Sequence, residues 1–381
     1  MSKDVVLLAG TRPEAVKAAP VALALAGHPV LRPRIVHSGQ HAGMVEQALA
    51  PFGLRVDDRL PVQRDTGGQP ELVAQLLPAL DDVLATHDPA AVIVQGDTTT
   101  TLAGALAAFW RRVPVVHLEA GLRTGDLASP FPEEANRQLV ARIAALHLPP
   151  TEQAAQALRA ESVPSEHIVV TGNTVVDAVR HIASAAPPAR DPKLSALEHR
   201  VATTGGRLVL VTVHRRESWG APLDRVLAAV HDLADAHPDI HVLLPAHPNP
   251  LVRRQIAATP SHPRVVVTEP LDYPDLVRAL RGASLVLTDS GGIQEEAPSF
   301  GVPVLVLREV TERMEAVVAG CAWLVGTDPA RIRTEADRVL CQRLRVPLDR
   351  NPFGDGRAAL RVVAALEELL GLTAAMVCEA S

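Results

Sequence analysis

The sequence predicts an α/β chain built from two doubly wound parallel domains in tandem. Three observations carry that expectation. Short runs rich in Val, Ile and Leu alternate with helix-length segments, and the alternation restarts after a Pro- and Gly-rich interruption at residues 185–206. Apolar residues make up 47% of the chain but aromatics only 2%, which suits α/β layers better than an aromatic-rich β-sandwich. At 381 residues the chain exceeds one ordinary hydrophobic core. The same reading excludes other classes. A net charge of −6 without a basic block argues against a nucleic-acid partner. No apolar run is long enough to span a bilayer, and the start, Met1-Ser2-Lys3-Asp4, lacks a signal-peptide pattern. Cys321, Cys341 and Cys378 are scattered and read as reduced thiols of a cytoplasmic protein. No metal-ligand spacing occurs, so no metal is expected, and no cofactor is expected either.

In order, Val5–Ala9 reads as a buried strand ending in Gly10-Thr11-Arg12-Pro13-Glu14, with a helix from Ala15. Pro13 fits a first helical turn, where its missing N–H costs nothing. Arg12 stands at a strand's C-terminal end, where open α/β sheets bind ligands, and Lys17 lies about one turn on. No GxGxxG follows this strand, which disfavours NAD. Val30–His37 is a second strand, ending in Ser38-Gly39-Gln40-His41. Met44–Leu49 is helical, residues 50–69 loop-like, and Glu71–Thr86 helical. Strand Ala91–Gln95 delivers Asp97, followed by hydroxyls that cap the next helix. Strand Val113–Leu118 delivers Glu119, and Glu133 opens a later helix. Ala144–Leu148 and Ile168–Thr171 are further short strands.

Residues 185–206 form the expected linker, which places a first domain at 1–186 and a second at 187–356. The second series begins with strand Arg207–Val213, ending in His214-Arg215-Arg216. Helix Pro222–Ala236, strand Ile240–Leu244 and strand Val265–Thr268 follow, then Leu271 and a helix to Arg281. Strands Leu285–Thr288 and Val302–Leu307 flank the turn Asp289-Ser290-Gly291-Gly292 and a helix with Gln294, Glu295 and Glu296 in its first turn. Strand Cys321–Val325, helix Pro329–Arg343 and a tight turn at 351–356 lead to a final helix within 357–381, expected to pack back on the first domain.

A strand that ends in Ser-Gly-Gly and opens a helix aims N–H groups and a positive dipole end at a phosphate. The plain alternative is a βα turn whose glycine serves packing; Glu296, further along, is placed to reach a ribose. Arg12 is a candidate phosphate ligand rather than an idle surface arginine. His214, flanked by two arginines at a strand end, can donate to a diphosphate as it leaves. A lone histidine is more often structural, and His247 between prolines is read that way or as peripheral. Carboxylates are usually solvated, but Asp97 and Glu119 end apolar strands, a poor place for an idle charge. Two tandem domains suggest a cleft, and it could collect Arg12, Asp97, Glu119, His214 and Ser290. Several acids opposite a phosphate-gripping wall fit proton transfer at a sugar carbon while a diphosphate is held or expelled.

Ten segments in register carry a resemblance: GTRPEAVKAAP (10–20), SGQH (38–41), QGDTTTTLAGALAAF (95–109), HLEAGLRTGDLASPFPEEANRQL (117–139), TGNTVVDAV (171–179), VHRRESWG (213–220), AHPNP (246–250), TDSGGIQEEAPSFGVPVLVLRE (288–309), TERMEAVVAG (311–320) and NPFGDGRA (351–358). Over essentially its whole length the chain resembles the non-hydrolysing UDP-N-acetylglucosamine 2-epimerases. The resemblance implies two Rossmann-like domains facing a central cleft, as in the GT-B glycosyltransferases, and a homodimer. It implies reversible C2 epimerisation of UDP-N-acetylglucosamine to UDP-N-acetylmannosamine, through anti elimination of UDP to 2-acetamidoglucal and re-addition. By motif match, Asp97, Glu119 and Glu133 are the acid/base residues, with abstraction and reprotonation not apportioned among them. His214 would assist the diphosphate. Arg12, Ser290, Gly291 and Gly292 would bind phosphate, Glu296 the ribose, and Leu271 the uracil through main chain. Lys17 belongs to the sugar site and Arg313 to the phosphate or sugar region.

The chain departs from the family pattern at Met314, at Ser218, and at Gly43, where members with an allosteric UDP-sugar site carry a further glutamine. Gln40 and His41 of that allosteric motif are present, while residues 61–69 match poorly. The resemblance therefore carries the catalytic residues further than the allosteric ones. The rival readings are a GT-B glycosyltransferase, a hydrolysing 2-epimerase releasing N-acetylmannosamine, and a silent nucleotide-sugar sensor.

Overall fold

The protein is described from a computed structural model covering residues 2–40 and 43–372. It divides into two compact units. One holds everything up to Ala178 and again from Phe353 onward; the other is Val179–Pro352. The first unit contains the strands β1 Lys3–Ala9, β2 Leu31–His37, β3 Asp58–Arg59, β4 Ala91–Gln95, β5 Val115–Leu118 and β6 Leu146–Leu148. They form one sheet in the order β3-β2-β1-β4-β5-β6, with every pairing parallel. The central strands are buried on both faces, which is why they read as unbroken apolar runs rather than as alternation. Leu72, Leu76, Leu80 and Leu84 recur at helical spacing along the helix Gln69–His87 and close one face of this sheet.

The second unit repeats the plan with β7 Arg207–Thr212, β8 Ile240–Pro245, β9 Val265–Thr268, β10 Ala283–Thr288, β11 Val304–Val306 and β12 Ala322–Leu324. Their order, β12-β11-β10-β7-β8-β9, is the same winding as in the first sheet when read from β7. This is the doubly wound Rossmann order, and its switch points lie between β1 and β4 and between β7 and β10. Helix Ala221–Ala236 turns Leu223, Val226, Leu227, Val230 and Leu233 onto the second core.

Four expectations need correcting. Residues 185–206 are not a bare linker, because Pro192–Thr204 is a helix. Pro192 sits in its first turn, Asp191 caps it, and Gly205 ends it in the left-handed conformation. The residues that read as linker signals are this helix's own start and stop. Ile168–Thr171 is not a strand; Ile168 makes a single parallel bridge to His147. The loop-like region 50–69 contributes the two-residue edge strand β3. The turn after β10 starts its helix at Gly291, so Gln294, Glu295 and Glu296 fall in the second turn. A helix at Pro250–Ala258 adds to the expected elements.

The C-terminal helix Ala358–Leu369 packs against the helix Arg12–Ala26 of the first unit. Asp177 accepts the N–H groups of Ala358 and Ala359 at 3.1 and 2.9 Å, which caps its start. His28 meets Glu367 at 2.8 Å near its end.

Candidate active site

The first unit gathers polar side chains at its switch point. Thr11 caps the helix Arg12–Ala26, with Arg12 half-buried at the first helical position. Glu14 completes the capping box from a buried site. Its carboxylate accepts the N–H groups of Gly10 and Thr11 at 2.8 and 2.7 Å, and the hydroxyl of Thr98 at 2.5 Å. Burial pushes the Glu14 pKa up, and the hydrogen bonds from Thr98, Gly10 and Thr11 only partly offset it. Glu14 therefore fastens the turn after β1 to the turn after β4.

Lys17 lies on the same helix, buried, with Nζ 2.5 Å from Glu119 Oε1. Gln95, the last residue of β4, donates to the other oxygen, Oε2. Glu119 leaves β5 with φ of +61°, the left-handed region that a non-glycine residue enters at a cost of about 1–2 kcal/mol. Such local strain is held by its surroundings, and here two buried side chains grip the carboxylate.

Asp97 is held by the helix Glu133–Ile143. Arg137 donates through Nε at 2.8 Å to Asp97 Oδ2, with a second guanidinium nitrogen at 2.6 Å. Asn136 donates to the backbone oxygen of Asp97 at 2.8 Å. Arg137 also reaches Glu134 at 3.1 Å, and Glu134 accepts the N–H groups of Thr124 and Gly125. Burial pushes the Glu134 pKa up, but these bonds with that of Gln138 outweigh it and the net shift is downward. Glu133, the first residue of this helix, is half-buried beside that network. The three carboxylates thus occupy three environments: Asp97 paired with Arg137, Glu119 with Lys17 and Gln95, and Glu133 at a helix start.

Beneath them, His117 of β5 donates through Nε2 to the carbonyl of Gly96 at 2.7 Å, which fixes the turn that carries Asp97. Burial depresses its pKa to about 4, and that of its sheet neighbour His147 to about 3. Both are neutral at physiological pH. Gln40, after β2, accepts from Thr100 at 3.3 Å. His41 lies outside the described residues.

In the second unit, Thr212 and Thr288 end β7 and β10 with their hydroxyls 2.6 Å apart. His214 follows β7, half-exposed, and Asp289 follows β10, fully buried. Asp289 accepts the N–H groups of His214 and Arg215. Burial lowers the His214 pKa, and the adjacent Asp289 raises it without cancelling the shift. Ser290 caps the six-residue helix Gly291–Glu296, which places Gly291 and Gly292 at its start. Arg313 donates to Glu295 at 2.8 Å, and its guanidinium carbon lies 3.5 Å from where a Cβ on Gly291 would stand. Glu296 is buried at the helix end, and Gln294 is fixed by Thr311 at 2.7 Å. Leu271 is buried just before the cap residue Asp272 of the next helix.

Within each unit the expected residues lie at or just past strand ends, except Lys17, Glu133 and Glu296, which are on helices, and Arg313, which caps one. Gln95, Asn136, Arg137 and Asp289 were not singled out from the sequence. Gln95 and Asp289 carried a faint signal, a polar residue at or just past the end of an apolar strand. Arg137, four residues after Glu133, reads on its own as an ordinary helix-surface charge.

Two doubly wound sheets of one winding, each with polar groups at its switch point, define a two-domain Rossmann-like protein of the GT-B fold class. The sequence profile of the family described as UDP-N-acetylglucosamine 2-epimerase matches residues 23–367. The UDP-N-acetylglucosamine 2-epimerase of Escherichia coli (strain K12) is 43% identical over 370 residues, covering 94% of this chain and 96% of that one. The crystal structure of a UDP-GlcNAc 2-epimerase from Neisseria meningitidis bound to UDP-GlcNAc is 37% identical, with a TM-score of 0.84 over 96% of this chain and 100% of that one. The Methanocaldococcus jannaschii enzyme, in complex with UDP-GlcNAc and UDP, is 30% identical with a TM-score of 0.79, over 96% and 99%. The chain belongs to the UDP-N-acetylglucosamine 2-epimerase family and is an isomerase.

Proposed function

We propose that the enzyme interconverts UDP-N-acetylglucosamine and UDP-N-acetylmannosamine without hydrolysis, by eliminating UDP and adding it back. The observation that carries this reading is the set of three carboxylates in the first unit, Asp97, Glu119 and Glu133, each held differently. Elimination needs a base for the C2 proton, and inversion needs a proton delivered to the opposite face. A C2–H is far too weak an acid for a carboxylate until the departing diphosphate builds positive charge at C1. Stabilising the diphosphate is therefore half of the catalysis.

Asp97, Glu119 and Glu133 share the proton transfers, and Lys17 serves the sugar site beside Glu119. His214 assists the diphosphate, while Arg12, Ser290, Gly291 and Gly292 bind its oxygens. Glu296 takes the ribose hydroxyls, main chain at Leu271 reads the uracil, and Arg313 supports the phosphate or sugar region. The active species is a homodimer, which light scattering would check. Activation by a second UDP-sugar at Gln40 and His41 is a separate element, and Gly43 in place of the family's further glutamine weighs against it. It predicts a lag from UDP-N-acetylmannosamine alone that traces of the gluco epimer abolish.

The test is incubation with UDP-N-acetylglucosamine in D2O, followed by proton NMR. Appearance of the manno epimer with deuterium at C2 is the expected result. Release of UDP with free N-acetylmannosamine would replace this reading with the hydrolysing one, and an inert sugar would sink both. Individual changes Asp97→Asn, Glu119→Gln and His214→Asn should each lower turnover on the order of a hundredfold or more.

A further inference from the structure

Asp289 is the buried carboxylate at the second unit's switch point, and the roles above leave it unused. Its side chain is fully buried. It accepts the His214 N–H at 3.1 and 3.0 Å and the Arg215 N–H at 3.0 Å. Its Oδ1 also stands 3.5 Å from His214 Nε2, and among the described residues that imidazole is its one ion-pairing side chain. The contact puts a buried negative charge at the ring edge as well as on the backbone of the same residue.

We infer that Asp289 is a positioning residue for the leaving-group end of the reaction, acting through His214 by fixing its backbone and orienting its ring. This rests on the diphosphate role proposed for His214. At 3.5 Å this is a charge contact rather than a hydrogen bond; because a carboxylate only accepts, it favours a hydrogen on Nε2, the ring nitrogen that faces it. The other nitrogen, Nδ1, is a donor only when the imidazole is cationic. When the C1–O bond breaks, its electron pair stays on the diphosphate oxygen. The imidazolium stabilises that oxygen by a hydrogen bond, while the C2 proton passes to a carboxylate.

Among the described residues, the charged groups that act on the His214 ring are Asp289 from the end of β10, Arg215 and Glu217 on its own loop, and His247 after β8. Burial is the largest influence and favours the neutral ring; Arg215 and His247 act the same way, whereas Asp289 and Glu217 favour the cation. Asp289→Asn keeps an oxygen for the backbone N–H groups but removes the charge.

The experiment uses full-length enzyme with 15N-labelled histidine. The imidazole nitrogens of His214, assigned by loss of signal in His214→Gln, are titrated by long-range proton–nitrogen NMR. The pH dependence of kcat and KM is measured in parallel. Neutral His214 of the unsubstituted enzyme should be the Nε2–H tautomer. In Asp289→Asn its titration should move to lower pH by about one unit, the small end of the range for a neighbouring opposite charge because the ring is half-exposed. The falling alkaline limb of kcat should move with it and KM should change little, and Asp289→Glu should return both toward the starting values. An Nδ1–H tautomer in the unsubstituted enzyme would overturn the inference without recourse to any variant at Asp289. So would an unmoved His214 titration in Asp289→Asn, or a titration that moves while the kcat limb stays. If the unsubstituted enzyme failed to interconvert the two UDP-sugars, the reaction proposed above would fall instead, and the tautomer and titration would still decide the coupling.

Discussion

Arg137 offers the sharpest test of how the first unit's carboxylates are held. Arg137→Met keeps much of the side chain's length and removes its charge. In the structure this frees Asp97 of two contacts, at 2.8 and 2.6 Å, and Glu134 of one at 3.1 Å. Breaking one partner of a buried ion pair costs roughly 3–5 kcal/mol, because the remaining charge loses its compensation. Asp97 is 25% exposed and can regain water, whereas Glu134 is 0% exposed but keeps three other donors. The low end therefore applies, about 3 kcal/mol. At roughly 2–4 °C per kcal/mol for a domain of 150–250 residues, the melting transition of the first unit should fall by about 6–12 °C. Asp97 would also lose its orientation, and displacement of a reacting group by an ångström costs on the order of a hundredfold in turnover.

The assays are thermal unfolding by calorimetry and the NMR epimerisation rate, with kcat and KM resolved. The fall should be in kcat, since Arg137 grips a carboxylate and not the substrate. Arg137→Lys keeps the charge but not the fork that spans both acids, so it should fall between. Gln138→Ala removes a 3.2 Å bond to Glu134 without touching Asp97, and should cost about 1 kcal/mol of stability and no turnover. Normal kcat in a destabilised Arg137→Met would show that the clamp is structural only. An unchanged melting transition would refute the arithmetic itself.

Three further outcomes follow from the same structure. His117 and His147 are buried neutral with pKa values depressed to about 4 and about 3, so the unfolded chain binds more protons than the folded one below about pH 6.5. Stability should fall as pH drops from 7 to 5.5, by about 2–3 kcal/mol from the pair, and urea midpoints at the two pH values would measure it. Glu134 adds a second acid limb. Its folded pKa is lowered, so its contribution is present above the ordinary carboxylate range and lost as pH falls through it; Glu134→Gln should flatten that limb in the same titration. Gly121→Ala should prevent folding or cost roughly 3 kcal/mol or more, because φ is +91° and the new Cβ would meet the Ala154 carbonyl oxygen. Gly53→Ala, at φ of +71° with nothing nearby, should cost only about 1–2 kcal/mol in the same unfolding assay.

Most strands were legible because a parallel sheet buried on both faces demands unbroken apolar runs. Ala91–Gln95 and Val265–Thr268 have the predicted limits. Misreadings arose where one residue type serves two purposes. Pro192 and Gly205 signalled a linker and instead bound a helix. Ile168 has a strand's composition but only one bridge, because it lies past the short edge strand β6. The expected carboxylates and His214 stood out by position, at or near the ends of strands and at a helix start. Their partners did not, since Arg137 and Asp289 matter through what lies beside them in space.

The sequence by itself determined the layer architecture, most strand positions and the family, because burial pattern and motif order are written along the chain. Only the tertiary structure decided the company each ionisable group keeps. The left-handed Glu119 between Lys17 and Gln95, the Asp97–Arg137–Glu134 chain, and Asp289 against His214 join residues 3 to 102 positions apart. The energies that fix them depend on distance and burial, quantities that sequence spacing does not contain.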